Sequence, residues 1–141
     1  LLEQLHPLRR DWIPYLKNAR SSWEAPGLQS PKSDSRFREF FTETMMEQLM
    51  IYFIYTYFCG AVYSRDAYTE TKFAFVSVIL IRELARAGWL GHPSDASSDL
   101  IAEAAFRLSR EIEHSDQNQL KMKQLLARED RFGLEQLFCL L

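Results

Sequence analysis

Residues 37–63, FREFFTETMMEQLMIYFIYTYFCGAVY, form the most apolar stretch of the chain and decide the predicted fold. No charged residue occurs between Gln48 and Ser64, and aromatic residues recur throughout. From Leu49 onward apolar residues fall on every face of a helix, which is typical of a helix enclosed by other helices or by lipid. The stretch therefore predicts a long buried helix at the centre of the molecule.

A bundle helix is favoured over a membrane helix for this stretch. A membrane span requires about 20 consecutive apolar residues. The run here is slightly shorter, begins at Glu47 and carries tyrosines along its middle. In membrane helices tyrosines concentrate at the two interfaces instead. We therefore expect no membrane partner.

The N-terminal quarter of the chain predicts short helical pieces. Residues 1–20 repeat apolar side chains at helical spacing, but Pro7 and Pro14 interrupt the pattern. Residues 21–36 are rich in Ser, Pro and Gly and lack periodicity, which is typical of a linker. We therefore expect residues 1–36 to be an N-terminal helical segment followed by a linker.

The C-terminal half predicts further helices and no strands. Residues 67–87 are long enough for a helix, and Gly88 is the residue type that commonly follows a helix C-terminus. This helix is expected to pack antiparallel to residues 37–63, and shorter amphipathic helices follow it. The fold class is therefore all-α: an irregular bundle of about five or six helices around the central helix 37–63. Residues 37–141 are expected to form a helical domain that is the C-terminal part of a longer protein.

Composition excludes several classes of function. The 141 residues carry a net charge of −2, so the chain lacks the excess of positive charge that attracts nucleic acid. The two cysteines, Cys59 and Cys139, belong to no CxxC or Cys/His array, so we expect no metal site in this chain and a reducing, cytoplasmic setting. The five glycines form no phosphate-binding loop, and no HExxH or GxSxG motif occurs.

The first candidate functional group is Arg110, Glu113 and His114. Spacings of three and four residues allow all three to share one helical face. A Glu/His pair at a helix end can handle a proton. Alternatively, His114 and Ser115 complete one helix and cap the next, with Arg110 and Glu113 as a solvated pair.

The second candidate group is Glu47 with the tyrosines Tyr52, Tyr55, Tyr63 and Tyr68. A buried carboxylate must be paired or lose its charge. Glu47 could pair with Arg82 or Arg110 across a helix interface as part of the structure. Alternatively, Glu47 and the tyrosine hydroxyls line a pocket for a cationic or polar ligand.

Two segments of the chain together resemble one family. EQLMIYFIYTYF, residues 47–58, resembles the ENYLVYxLF-type segment of flagellin lysine-N-methylases, although Gln48 and Leu49 replace the usual Asn and Tyr. LSREIEHS, residues 108–115, is similar to the SRxIEH segment that follows at about the same distance. The resemblance covers residues 37–126. Its matched positions include two hydroxyl or carboxyl side chains in the first segment and three polar residues in the second: Glu47, Tyr52, Arg110, Glu113 and His114.

The resemblance implies an enzyme that transfers methyl groups from S-adenosylmethionine to flagellin lysines. It also implies a cysteine cluster, a metal or iron–sulfur site, in an N-terminal half. This chain would then be a C-terminal domain that supports substrate recognition or active-site shape and is inactive alone. The alternative is a non-enzymatic ligand-binding or dimerisation domain, as in a transcription regulator, which predicts a closed apolar pocket and a self-interface.

Overall fold

The computed structural model describes residues 1–25, 31–91, 98–127 and 132–140. These residues form an all-α bundle, as predicted, with no strand among them. Within these ranges a short 3-10 helix, Leu2–Gln4, precedes seven α-helices: α1 Trp12–Glu24, α2 Pro31–Phe40, α3 Glu43–Ser64, α4 Ala67–Gly91, α5 Ser98–Ile112, α6 Asp116–Leu126 and α7 Leu134–Phe138.

The centre of the bundle is α4, and the prediction that residues 37–63 form the buried central helix is wrong. Helices α1, α3, α5, α6 and α7 all contact α4. Phe73, Val78 and Ile81 of α4 are completely buried. The charged residues of α4 obscured this position in the sequence, but both of its carboxylates are paired: Glu70 with Lys123 and Glu83 with Arg82. Pairing makes their burial tolerable.

Helix α3 lies at the edge of the bundle, antiparallel to α4 as predicted. Tyr57 contacts Phe73, and Gly60 lies beside Glu70. Residue numbers therefore rise along α3 as they fall along α4, so the two helices run in opposite directions. Only Phe53, Tyr57 and Ala61 of α3 are buried. The opposite side is apolar yet exposed, because no described element of the chain covers it.

The helix boundaries in residues 21–63 differ from the predicted linker and single long helix. Residues 37–40 belong to α2, and Thr42 caps α3 by accepting a hydrogen bond from the Met45 N–H. Part of the predicted linker is helical, since α2 begins at Pro31, where a missing N–H costs nothing. The Phe37 ring packs on Trp89 of α4, and this tertiary contact stabilises α2.

Pro14 and Gly88 also behave differently from the prediction. Pro14 lies in the first turn of α1, where backbone N–H groups have no intrahelical partner, so the helix continues through it. Helix α4 continues past Gly88 to Gly91. A Cβ atom at Gly88 would lie 3.2 Å from Leu100, so this glycine permits the close approach of α5.

Two buried polar side chains hold the irregular segment before α1. Glu111, which is completely buried, accepts the N–H groups of Leu8 and Arg9 at 2.7 and 3.0 Å. Asn118 accepts the His6 N–H at 2.9 Å and donates to the carbonyl groups of His6 and Glu111. The segment is therefore attached to α5 and α6 by hydrogen bonds between its backbone and these two side chains.

Two further findings concern the length of the helices and the state of the cysteines. Within the described ranges, none of the helices combines the length and apolarity that a membrane crossing requires. Cys59 and Cys139 are both free, exposed thiols.

Candidate functional site

A cavity of about 250 Å³ lies where α3, α4, α6 and the end of α5 meet. Seven residues from these elements line it, and six of the seven have polar side chains: Thr56, Tyr57, Gly60, Glu70, Glu113, Gln119 and Lys123. Tyr57 belongs to the segment 47–58 and Glu113 to the segment 108–115. The two segments on which the family resemblance rests therefore meet at this cavity.

Tyr57 and Glu113 form one wall of the cavity. The Tyr57 hydroxyl donates a hydrogen bond to Glu113 Oε1 at 3.3 Å, and the Ser109 hydroxyl donates to Glu113 Oε2 at 2.7 Å. Gln119 donates to the backbone carbonyl of Glu113 at 3.2 Å. Burial, together with the adjacent Glu113 carboxylate, raises the pKa of Tyr57. The phenol therefore remains a proton donor to the carboxylate.

Glu70 and Lys123 form the other wall. Glu70 is only 3% exposed, and Lys123 Nζ donates a short hydrogen bond to its Oε1. The same ammonium lies 5.9 Å from the centre of the Phe73 ring, which is within the range of a cation–π contact. An aromatic ring and a carboxylate thus already bind one lysine ammonium at this site.

The cavity carries two carboxylates and one ammonium, so its formal charge is one negative unit when all three are ionised. Gly60 adds no side chain to the lining, and a Cβ atom at this position would be in ordinary van der Waals contact with Glu70 Oε1 at 3.8 Å. A negative, partly buried cavity with hydroxyl groups is suited to a ligand that carries an ammonium group.

The structure separates the first predicted group. Glu113 faces the cavity, whereas Arg110 and His114 are exposed. Arg110 lies over the Phe106 ring of its own helix at 5.9 Å. Helix α5 ends at Ile112, so Glu113 and His114 are in the turn that leads to Ser115, the N-cap of α6. Only Glu113 of the three lines the cavity.

The second predicted group does not come together either. Glu47 is exposed on α3, and among the described residues no ion pair joins it to Arg82 or Arg110. Tyr52 and Tyr55 are exposed on the uncovered side of α3, Tyr55 by 78%. The expectation that Tyr55 belongs to the core is wrong, because the face that carries it has no covering helix.

A larger, open cleft of about 720 Å³ lies between α2, the first turn of α3, and α4. Arg82 and Arg86 line it on both sides of Glu83, and each arginine forms an ion pair with that carboxylate. The cleft also includes Cys139 and Leu140 near the C-terminus. Three of its five charged side chains are paired with each other, and neither family-like segment lines the cleft. The geometry therefore favours the smaller cavity, where the two segments meet, as the site.

Sequence reasoning missed most residues of the cavity. Tyr57 could have been found, because it belongs to the family-like segment and shares a face with Phe53. Glu70 and Lys123 are 53 positions apart and have no common motif, so only tertiary structure joins them. In the described part of the chain, no three His, Cys, Asp or Glu side chains are grouped as a metal site would require.

Comparison with known proteins agrees with the resemblance. The family profile described as FliB lysine N-methylase C-terminal domain matches residues 2–140. Searches of curated proteins and of solved structures found no significant match. Because the match covers nearly the whole chain, this protein belongs to the family of FliB lysine N-methylase C-terminal domains.

Proposed function

We propose that this domain is the C-terminal part of an enzyme that transfers methyl groups from S-adenosylmethionine to flagellin lysines, and that its cavity binds the ammonium group of the substrate lysine. The observation that carries the proposal is the hydrogen bond between Tyr57 and Glu113. It joins the two family-like segments inside a cavity of net negative charge.

Lys123 indicates how such a cavity recognises an ammonium group. Its side chain contacts the Glu70 carboxylate and the face of Phe73. Glu113 accepts hydrogen bonds from two hydroxyl groups, and a carboxylate has capacity for more. A substrate ammonium entering the cavity would therefore meet Glu113 as its acceptor, while Lys123 stays with Glu70.

The methyl donor and any iron–sulfur cluster are assigned to the rest of the enzyme. S-adenosylmethionine supplies the methyl group, and the five glycines of this chain form no nucleotide-binding loop for it. A cluster of this kind is held by about four cysteine thiolates, and the chain has only Cys59 and Cys139. These residues do not fit a cluster. Two free thiols are compatible with a reducing, cytoplasmic setting, where we place the protein.

The alternative function, a non-enzymatic ligand-binding or dimerisation domain, is less well supported. It predicts a closed apolar pocket. The cavity and the cleft described above are both open, and charged side chains line both of them.

The test uses the complete enzyme with Glu113→Gln. This change keeps the shape and an acceptor for Tyr57 but removes the charge. Hydrogen bonds to charged groups contribute about 1.5–3 kcal/mol, so we expect kcat/KM for flagellin to fall roughly 10- to 100-fold. Initial rates are measured per folded molecule. An unchanged kcat/KM would contradict a role of the cavity in substrate binding.

The matched control is His114→Ala in the same enzyme. His114 is the next residue, belongs to the same family-like segment and is exposed. We expect wild-type kinetics for this variant. Loss of activity in His114→Ala with normal activity in Glu113→Gln would place the functional group on the exposed side of the turn.

A further inference from the structure

One side of α3 is apolar and uncovered. We call it the aromatic face, and it consists of seven exposed large side chains: Ile51, Tyr52, Ile54, Tyr55, Phe58, Val62 and Tyr63. At 100° per residue these positions span about half of the helix circumference, opposite the buried Phe53, Tyr57 and Ala61. No charged residue occurs within residues 51–63.

The aromatic face is large enough for a stable interface. Exposed side chains of this kind present about 150–250 Å² each, so at the observed exposures the seven amount to roughly 900 Å². The largest apolar patch on a typical monomer is about 300–600 Å². A standard protein interface buries about 800 Å² on each partner. A surface with these properties requires a permanent cover.

The composition of the face selects among possible partners. Helices that bind membrane surfaces carry Lys and Arg on their polar side, and α3 contains neither. Partners that associate and dissociate use surfaces about as polar as the rest of the protein, whereas permanent interfaces are more apolar. The uncharged, aromatic face is therefore typical of a permanent contact within one enzyme.

A second copy of the domain would cover the face incompletely. In a symmetric dimer α3 would pack against its own copy, with the same residues on both sides. One opposing helix covers a stripe of about 100°. The central stripe around Tyr55 would be covered, but Ile54 and Tyr63 at the two edges would stay in water. Covering half of the helix circumference requires a concave surface made of at least two elements.

We propose that the aromatic face of α3 is the surface on which the methyl-transferring part of the same enzyme packs. This inference rests on the proposed function, which places the two parts in one polypeptide. Attachment in one chain raises their effective concentration. The catalytic part would then reach α3 next to the Tyr57–Glu113 cavity, which opens on the adjoining side of the same helix.

Thiol labelling of the complete enzyme tests this contact without depending on activity. Cys59 lies within the aromatic face, and Cys139 lies elsewhere on the domain; both are exposed in the domain structure. A maleimide is reacted with the native enzyme, and each site is quantified by peptide mass spectrometry, with rates normalised to those in denaturant. We expect Cys59 to react at least about tenfold more slowly than Cys139, because a packed partner limits access.

Two variants support the interpretation. Val62 is 78% exposed in the domain, so Val62→Glu should leave the domain folded while placing a charge in the interface. It should raise Cys59 labelling to the level of Cys139. Leu120→Glu introduces the same type of change at an exposed position of α6 and should leave Cys59 protected.

Two outcomes would overturn the proposal. One is equal labelling of Cys59 and Cys139 in the wild-type enzyme. The other is protection of Cys59 that disappears on dilution, which would identify a second copy as the partner. If Cys59 is protected but Glu113→Gln is fully active, the packing surface stands and the proposed role of the cavity fails.

Discussion

The phenol of Tyr57 donates a hydrogen bond to the Glu113 carboxylate across 3.3 Å, although the two residues are 56 positions apart in sequence. Each belongs to one of the two segments that resemble flagellin lysine-N-methylases. Their contact brings the edge helix α3 and the end of α5 to one cavity. The relationship gives a structural reason for the two segments to occur together.

Phe53→Ala and Tyr55→Ala should differ strongly in stability although they are two positions apart on α3. Phe53 is buried, and truncating a buried aromatic residue costs about 3–5 kcal/mol. Tyr55 is exposed, so its truncation in the 141-residue chain should cost less than about 0.5 kcal/mol. Urea unfolding of both variants measures the difference. Equal losses would mean that Tyr55 contributes to the core of this domain.

Glu111→Ala should release the segment before α1. The buried carboxylate accepts two backbone N–H groups, and each unsatisfied buried donor costs about 1–3 kcal/mol. We expect faster hydrogen exchange at Leu8 and Arg9 as well as lower stability. Glu103→Ala on the exposed side of the same helix is the control and should cost less than about 1 kcal/mol. Unchanged exchange at Leu8 would contradict the assigned hydrogen bonds.

Gly60→Ala and Gly88→Ala should have different effects, although both glycines lie inside helices. Alanine is favoured over glycine in a helix by about 1 kcal/mol. At Gly60 the new Cβ would make an ordinary 3.8 Å contact, so this variant should be more stable. At Gly88 the Cβ would lie 3.2 Å from Leu100, and the displacement of α5 should cancel the gain. Thermal unfolding compares the two variants. A stabilisation of the same size at Gly88 would show that α5 does not pack closely there.

Stability should fall as the pH rises above 10. Burial raises the pKa of Tyr15 to about 12 and also raises the pKa of Tyr57, whereas an unfolded tyrosine ionises near pH 10. Between pH 10 and 12 the unfolded chain loses protons that the folded chain keeps, so the free energy of unfolding decreases. Tyr15→Phe should make this decrease shallower, and Tyr63→Phe, at an exposed position, should not. Urea midpoints from pH 9 to 12 provide the measurement; identical slopes in all variants would contradict it.

The domain alone should not methylate flagellin. The proposed function assigns the methyl donor and the cluster to another part of the enzyme. Incubation of residues 1–141 with labelled S-adenosylmethionine and flagellin should give no incorporation above background. Incorporation by this chain alone would contradict the assignment of the chemistry to the rest of the enzyme.

The sequence by itself determined the all-α class, the antiparallel pairing of the two longest helices and the family, because these follow from local periodicity and short motifs. It also located helix starts such as Ser115, whose side chain caps α6, since capping depends on neighbouring residues only. Only the tertiary structure decided which helix is central. Burial depends on which other elements pack against a helix. Five helices pack against α4, whereas the more apolar α3 leaves one side exposed.

The candidate site was likewise decided by tertiary structure. The sequence indicated Glu113 but grouped it with Arg110 and His114. A helical sequence pattern shows only which residues three or four positions apart lie next to each other. Besides Ser109 of α5, Glu113 has a partner in Tyr57 on another helix, and Glu70 has its partner in Lys123. Such pairs form where separate helices meet, and their geometry depends on how α3, α4, α5 and α6 pack together.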